Sequence, residues 1–137
     1  MTFSNDGPIE EDALPRKGSQ DSAGESPVDW ELASSLTGGD LDLLSELVDL
    51  FPTESAKHLA VIRSAIDACD PEVLTRGAHS LKSTASFFGA RDLVTCARHV
   101  EELGRTSEID EARTFVPRLQ SETARLNAAL ARERIPN

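Results

Sequence analysis

Residues 74–90 read LTRGAHSLKSTASFFGA. Within them Leu74, Ala78, Leu81, Ala85 and Phe88 follow one another at steps of four, three, four and three. At about 100° per residue these positions fall on one stripe of an α-helix, the side a helix turns towards a core. On the same wheel His79 lies about 140° from the stripe's centre with Ser83 and Ser86 beside it, and Lys82 lies about 80° away. The helix therefore carries a solvent-facing strip of one histidine, two hydroxyls and one lysine. The small residues Ser83, Ser86, Gly89 and Ala90 leave the imidazole unobstructed.

Working outward, Asp70-Pro71-Glu72 supplies an N-cap followed by proline at the first helical position, which opens this helix. It should run to about Phe88, where Gly89 permits a left-handed exit. Downstream, a helix is expected from about Arg91 to Leu103, ending at Gly104. Ser107-Glu108-Ile109-Asp110 then resembles a capping box and starts a helix reaching roughly Arg132, with Pro117 as a bend. Upstream, Asp40 can cap a longer helix with Leu44, Leu47, Phe51, Leu59, Ile62 and Ile66 on its apolar side. Pro52 either kinks that helix or occupies the first turn of a second one. Asp29-Trp30-Glu31-Leu32 begins a short helix that stops at Gly38-Gly39. The expected fold is all-α: an antiparallel four-helix bundle over residues 29–134 with a short extra N-terminal helix.

Residues 1–28 read differently. Gly7, Gly18, Gly24, Pro8, Pro15 and Pro27 are spread among serines and acids, and too little apolar surface is present to offset chain entropy. A disordered acidic tail is expected. Its acids Asp6, Glu10, Glu11, Asp12, Asp21 and Glu25 against Arg16 and Lys17 contribute -4 of the formal charge of -10.

The 137 residues suit one domain. With 4% aromatic residues the core must be mainly aliphatic, which favours helices over a β-sandwich. The acidic balance of 24 Asp plus Glu against 14 Lys plus Arg argues against non-specific binding to nucleic acid or to an anionic membrane. Cys69 and Cys96 are too few for a disulfide scaffold, and the N-terminus lacks the basic and apolar regions of a secretory signal. No run approaches the length of a membrane span. A reduced, soluble, cytoplasmic protein is the expectation.

The polar strip suggests chemistry. Neutral imidazole nitrogen is a good nucleophile near pH 7. Lys82, one turn further along, is placed to neutralise an anion on the ring, and the serine hydroxyls can donate hydrogen bonds to it. An exposed nucleophile with one adjacent cation and no pocket-forming bulk suits receipt of a phosphoryl group from another macromolecule.

The stretch AHSLKSTASFFGA resembles the signature of histidine-containing phosphotransfer (HPt) domains. The resemblance continues upstream in GGDLDLLSELVDLF and Asp70 to Leu74, and downstream in RDLVTCARHVEELGR. It spans about residues 30–130. It implies that His79 is the phospho-accepting residue, modified at Nε2, and that Lys82 balances phosphate charge. Gly89 would keep the docking surface open, and Ser83 occupies a position usually Gly or Ser. Glu101 falls where the family places a Glu or Gln on the next helix, close enough to orient the histidine ring. Phe87-Phe88 is bulkier than is common before the glycine, and Pro52 interrupts a helix that is often uninterrupted.

Read through the resemblance, the protein accepts a phosphoryl group on His79 from a receiver-domain aspartate and passes it to another receiver aspartate. It holds no cofactor or metal of its own, the receiver supplying Mg²⁺, and acts as a monomeric carrier without autonomous catalysis. Between positions 76 and 105, Arg76, Lys82, Arg91, Arg98 and Arg105 outnumber Asp92, Glu101 and Glu102, a local excess suited to an acidic receiver site. The alternative is a helical adaptor or inhibitor that docks on receivers or kinases without carrying phosphate. Cys96-x-x-His99 offers only two metal ligands, and Cys96 shares a core stripe with Leu93, Ala97 and Val100, so a buried structural cysteine is expected. His58 should be a boundary residue. No Glu precedes a His by three, which excludes a di-metal carboxylate bundle.

Overall fold

The computed structural model describes residues 26–133. Residues 1–25 of the tail expected over 1–28, and the bundle's expected last residue, 134, lie outside them. Five helices follow in order: α1 (Trp30–Leu36), α2 (Leu41–Asp67), α3 (Pro71–Phe87), α4 (Arg91–Arg105) and α5 (Ile109–Arg132). The last four form the antiparallel bundle. In it α3 packs between α2 and α4, α5 closes the ring against α4 and α2, and α1 rests across α2 and α3.

The helix starts are set locally. Asp29, Asp40 and Asp70 each hold an extended backbone and accept a hydrogen bond from the amide three residues on, at Leu32, Leu43 and Val73. Each such cap stabilises its helix by roughly 1 kcal/mol. The apolar stripe of α3 is buried along its length, with Leu74, Ala78, Leu81 and Ala85 at 0% exposure and Phe88 at 2%. It meets Leu44, Phe51, Ile62 and Ile66 of α2 and Leu93, Ala97 and Val100 of α4 in one core. Phe88 stands edge-on to Phe51, ring centroids 5.5 Å apart. The bulk before Gly89 is therefore core filling.

Several local readings are decided or corrected. Of the two readings open at Pro52 the structure has one long helix: α2 runs through it, with the ring on the exposed side. Gly104 does not end α4 but lies buried in its last turn, one residue before the helix closes at Arg105. The left-handed residue here is Ser107, at φ +59°. Ser107 consequently cannot cap α5. The N-cap position belongs to Glu108, which makes no side-chain cap bond, and its carboxylate instead accepts from Thr106 Oγ1 at 2.6 Å. Val28, placed in the tail by composition, is buried at 8% exposure. Its neighbour Asp29 donates its amide to the Phe88 carbonyl at 2.7 Å. Glu133 Oε1 accepts from Ser26 Oγ and Trp30 Nε1, joining the start of the described chain to the end of α5.

The buried Gly104 determines how closely α3 and α4 approach. A Cβ there would lie 2.4 Å from Thr75 Oγ1 and 3.0 Å from the Thr75 amide nitrogen. The Thr75 hydroxyl cannot simply swing away without loss, because it is bonded to the Pro71 carbonyl at 2.7 Å. Overpacking of this kind costs about 1–3 kcal/mol, against about 1 kcal/mol gained when alanine replaces glycine in a helix. Gly104→Ala is therefore expected to lower stability by a net of up to about 2 kcal/mol, measured by urea unfolding. Adding Thr75→Ala should recover only part of the loss, because it removes the hydroxyl but not the backbone contact.

Candidate functional site

His79 projects from the outer face of α3 with 58% of its side chain exposed. The close α3–α4 approach brings Glu101, on the core-facing side of α4, beneath it. The Glu101 side chain is 1% exposed and makes three charge-assisted contacts. Its Oε1 accepts from Lys82 Nζ at 2.6 Å. Its Oε2 faces His79 Nδ1 at 2.8 Å and also accepts from Arg105 Nη2 at 2.9 Å.

Burial alone would raise the Glu101 pKa by penalising the charge. Hydrogen bonds from Lys82 and His79, and the charges of Lys82 and Arg105, more than offset this and hold it below its ordinary value. The carboxylate is thus ionised at neutral pH and can only accept. The proton of neutral His79 then sits on Nδ1, where Glu101 takes it, and the lone pair sits on Nε2 at the open side of the ring. The arrangement presents a fixed tautomer with its nucleophilic nitrogen towards solvent.

Among the residues singled out in the sequence, the structure brings His79, Lys82 and Glu101 together. Ser83 and Ser86 share the exposed strip of α3 but take no part in the Glu101 contacts. Lys82 is not a free cation waiting for an anion: its side chain is 22% exposed and its ammonium is held by Glu101. Gly89 takes the expected left-handed conformation at φ +65°, but a Cβ would lie 2.5 Å from Asp29 Cβ. Its bareness admits the start of α1. Arg105, expected only as one of the local cations, is a third partner of Glu101 at i,i+4 spacing.

The remaining candidates are structural. Cys96 is buried and its thiol is pushed up, chiefly by burial. His99 packs edge-on against Phe115, centroids 4.5 Å apart. His58 is half-buried, and burial lowers its pKa. Among the described residues no group of three or more His, Cys, Asp or Glu is placed to hold a metal, and no helix is long and apolar enough to cross a membrane. Between α2 and α3, Leu47, Leu50, Phe51, Glu54, Thr84, Phe87 and Phe88 line an apolar groove of about 250 Å³. Thr84 lies five residues along α3 from His79, so the groove begins within about 8 Å of the histidine along the helix axis.

The family model described as the Hpt domain matches residues 46–129. The crystal structure of histidine-containing phosphotransfer protein B from Pseudomonas aeruginosa PAO1 is similar, with a TM-score of 0.74 and 28% sequence identity, covering 82% of this chain and 96% of that one. Among curated proteins none matches the chain significantly.

Because its pKa is lowered on folding, Glu101 contributes stability that is complete above the ordinary glutamate range near pH 4.3 and is lost as pH falls through its folded value. Glu101→Gln lacks that contribution. Thermal unfolding between about pH 7 and about pH 3 should show the wild type more stable at neutral pH, with the gap to Glu101→Gln closing on acidification. A gap independent of pH would contradict the ionised, compensated carboxylate.

Proposed function

This chain belongs to the Hpt domain family of histidine phosphotransfer proteins, and on that premise we propose that His79 carries the phosphoryl group between receiver-domain aspartates of a two-component phosphorelay. The observation that carries this reading is the Nδ1 contact to buried Glu101, which in the neutral imidazole puts the lone pair on Nε2, away from the carboxylate.

In the forward step the Nε2 lone pair forms the N–P bond while the bond between phosphorus and the donor aspartate oxygen breaks, and the carboxylate leaves with its electron pair. The Nδ1 proton stays where it is, bonded to Glu101. The ring, substituted on both nitrogens, then carries a positive charge beside that carboxylate. In the onward step an acceptor aspartate oxygen bonds phosphorus, the P–N bond breaks, and the pair returns to Nε2. Retention of the Nδ1 proton makes the leaving group neutral imidazole and not an anion, so the group remains transferable. No proton has to move to or from water in either direction. The receiver supplies Mg²⁺ and its own charged residues, and this chain supplies nucleophile, orientation and charge. It acts as a cytoplasmic carrier without autonomous catalysis, with no cofactor of its own.

Docking would use what surrounds His79. Lys82, Arg76, Arg98 and Arg105 are cations on the α3 and α4 side, suited to an acidic receiver site. The α2–α3 groove, with Leu50 at 52% exposure on its rim, offers apolar area on the other side. The two together make a modest transient interface.

Incubation with a phosphorylated receiver should place an acid-labile, alkali-stable label on the wild type and none on His79→Gln. Label on His79→Gln would remove the site assignment, and no label from any receiver, with the fold intact, would favour the adaptor. Leu50→Lys should raise the receiver concentration for half-maximal transfer ~10-fold while leaving the rate at saturation unchanged.

A further inference from the structure

Glu101 has more positive partners than its single charge requires. Lys82 and Arg105 are both cationic side chains, they approach different oxygens, and they come from different helices. Their exposures also differ. Arg105 is 54% exposed and anchored a second time, to Glu102 at 3.1 Å, whereas Lys82 is 22% exposed and its ammonium is held by Glu101. A carboxylate at 1% exposure cannot be left without a counter-charge, because an isolated buried ion is strongly destabilising. With one cation, Glu101 would have to keep it. With two, one can leave.

We propose that Arg105 is a positioning residue acting as a reserve counter-ion, holding Glu101 when Lys82 moves from its Oε1 to the phosphoryl group on His79. This rests on the phosphotransfer reading of His79.

In the unphosphorylated state the lysine is stored on Glu101. Phosphorylation at Nε2 places about -1.5 to -2 charges at the open edge of the ring, one turn of α3 from Lys82. The ring itself becomes positive and tightens its Nδ1–H bond to Oε2. Glu101 then has both Arg105 and the cationic ring, and Lys82 is the partner it can release. Arg105 cannot play the mobile part equally well, because its guanidinium bridges Glu101 and Glu102 and is held in place by both. The exchange makes and breaks only ion pairs and hydrogen bonds. When the phosphoryl group departs, Lys82 returns to Oε1.

Two measurements test this, the first without phosphate. Lys82→Gln and Arg105→Gln should each lower Tm by about 5 °C or less, whereas the double variant should lose about 15 °C or more, because only it strips Glu101 of both cations. In a Glu101→Gln background the excess should disappear. Additive losses would overturn the reserve role.

In the second, His79 is phosphorylated chemically with phosphoramidate and the phosphoryl titration is followed by ³¹P NMR. Lys82→Gln should raise the titration midpoint by on the order of half a pH unit relative to wild type. Arg105→Gln should raise it similarly, since Lys82 is then retained by Glu101, and Arg105→Lys should restore it. A midpoint in Arg105→Gln equal to that of wild type would overturn the exchange. Failure of receivers to label the protein, with both results as expected, would remove the relay and leave the counter-ion device standing.

Discussion

A carboxylate sealed between two helices has to be compensated where it lies, and most of the architecture around His79 follows from that requirement on Glu101. Lys82 and His79 can reach it only from α3, and Arg105 only from α4, so the two helices must meet closely and in a fixed register. Gly104 against Thr75 sets the closeness. The three-residue connection at Phe88, Gly89 and Ala90 sets the register, with its left-handed glycine returning the chain directly into α4. The buried stripe of α3 sets the rotation, because turning Leu74, Ala78, Leu81 and Ala85 inward necessarily turns His79 outward at the edge facing α4. A charge that would be a liability in an apolar core thus acts as a gauge of correct packing: if α4 slid by one residue, Glu101 would lose its partners and remain buried.

This explains which features could be read from the chain and which could not. Helix identity, the inward stripe and the three aspartate caps depend on neighbours within four residues, and each appears in the sequence as a spacing. The candidate pair His79 and Lys82 was legible on the same grounds, being one turn apart on one helix. What depends on a second helix was not, apart from the pairing of Glu101 with His79, which only the family resemblance implied. Gly104 reads as a terminator because glycine usually is one, yet here it makes room for Thr75, 29 positions earlier. Ser107 reads as a cap because serine usually is one, yet tertiary closure puts it in the left-handed region and moves the helix start to Ile109. Lys82 was legible as a cation near the histidine, but its occupation by Glu101 was not, since nothing local separates an exposed glutamate from a buried one in a charged helix.

The burial of Glu101 also alters what a partner meets. Across positions 76–105 the sequence has five cations and three acids. One of those acids is withdrawn from the surface, Arg76 lies 3.7 Å from Glu72, and Asp92 lies 3.3 Å from Arg125. Counting the outside partners Glu72 and Arg125 with them leaves the excess at two cations, so the face around His79 stays locally positive inside a chain whose formal charge is -10. Long-range attraction would not guide an acidic partner to this protein as a whole. At contact distance, within a Debye length of about 8–10 Å, the local sign governs.

An exposed histidine on a rigid helix is an unusual place for phosphorus chemistry, which ordinarily favours an enclosed site where charge is stabilised without water. The openness has a physical reason if the partner brings the enclosure. A carrier that built its own pocket around Nε2 would shield the group from water, but would also shield it from the next acceptor. Here the half of the imidazole that needs control, Nδ1, is enclosed by Glu101 and its cations, and the half that reacts is left bare. Tautomer, orientation and counter-charge are settled within the bundle, so that under the proposed function a partner would have only to supply the phosphorus, its metal and the dry surface. A single exposed nitrogen can then serve donor and acceptor alike, because nothing on this chain has to rearrange around the reacting atom beyond one lysine side chain.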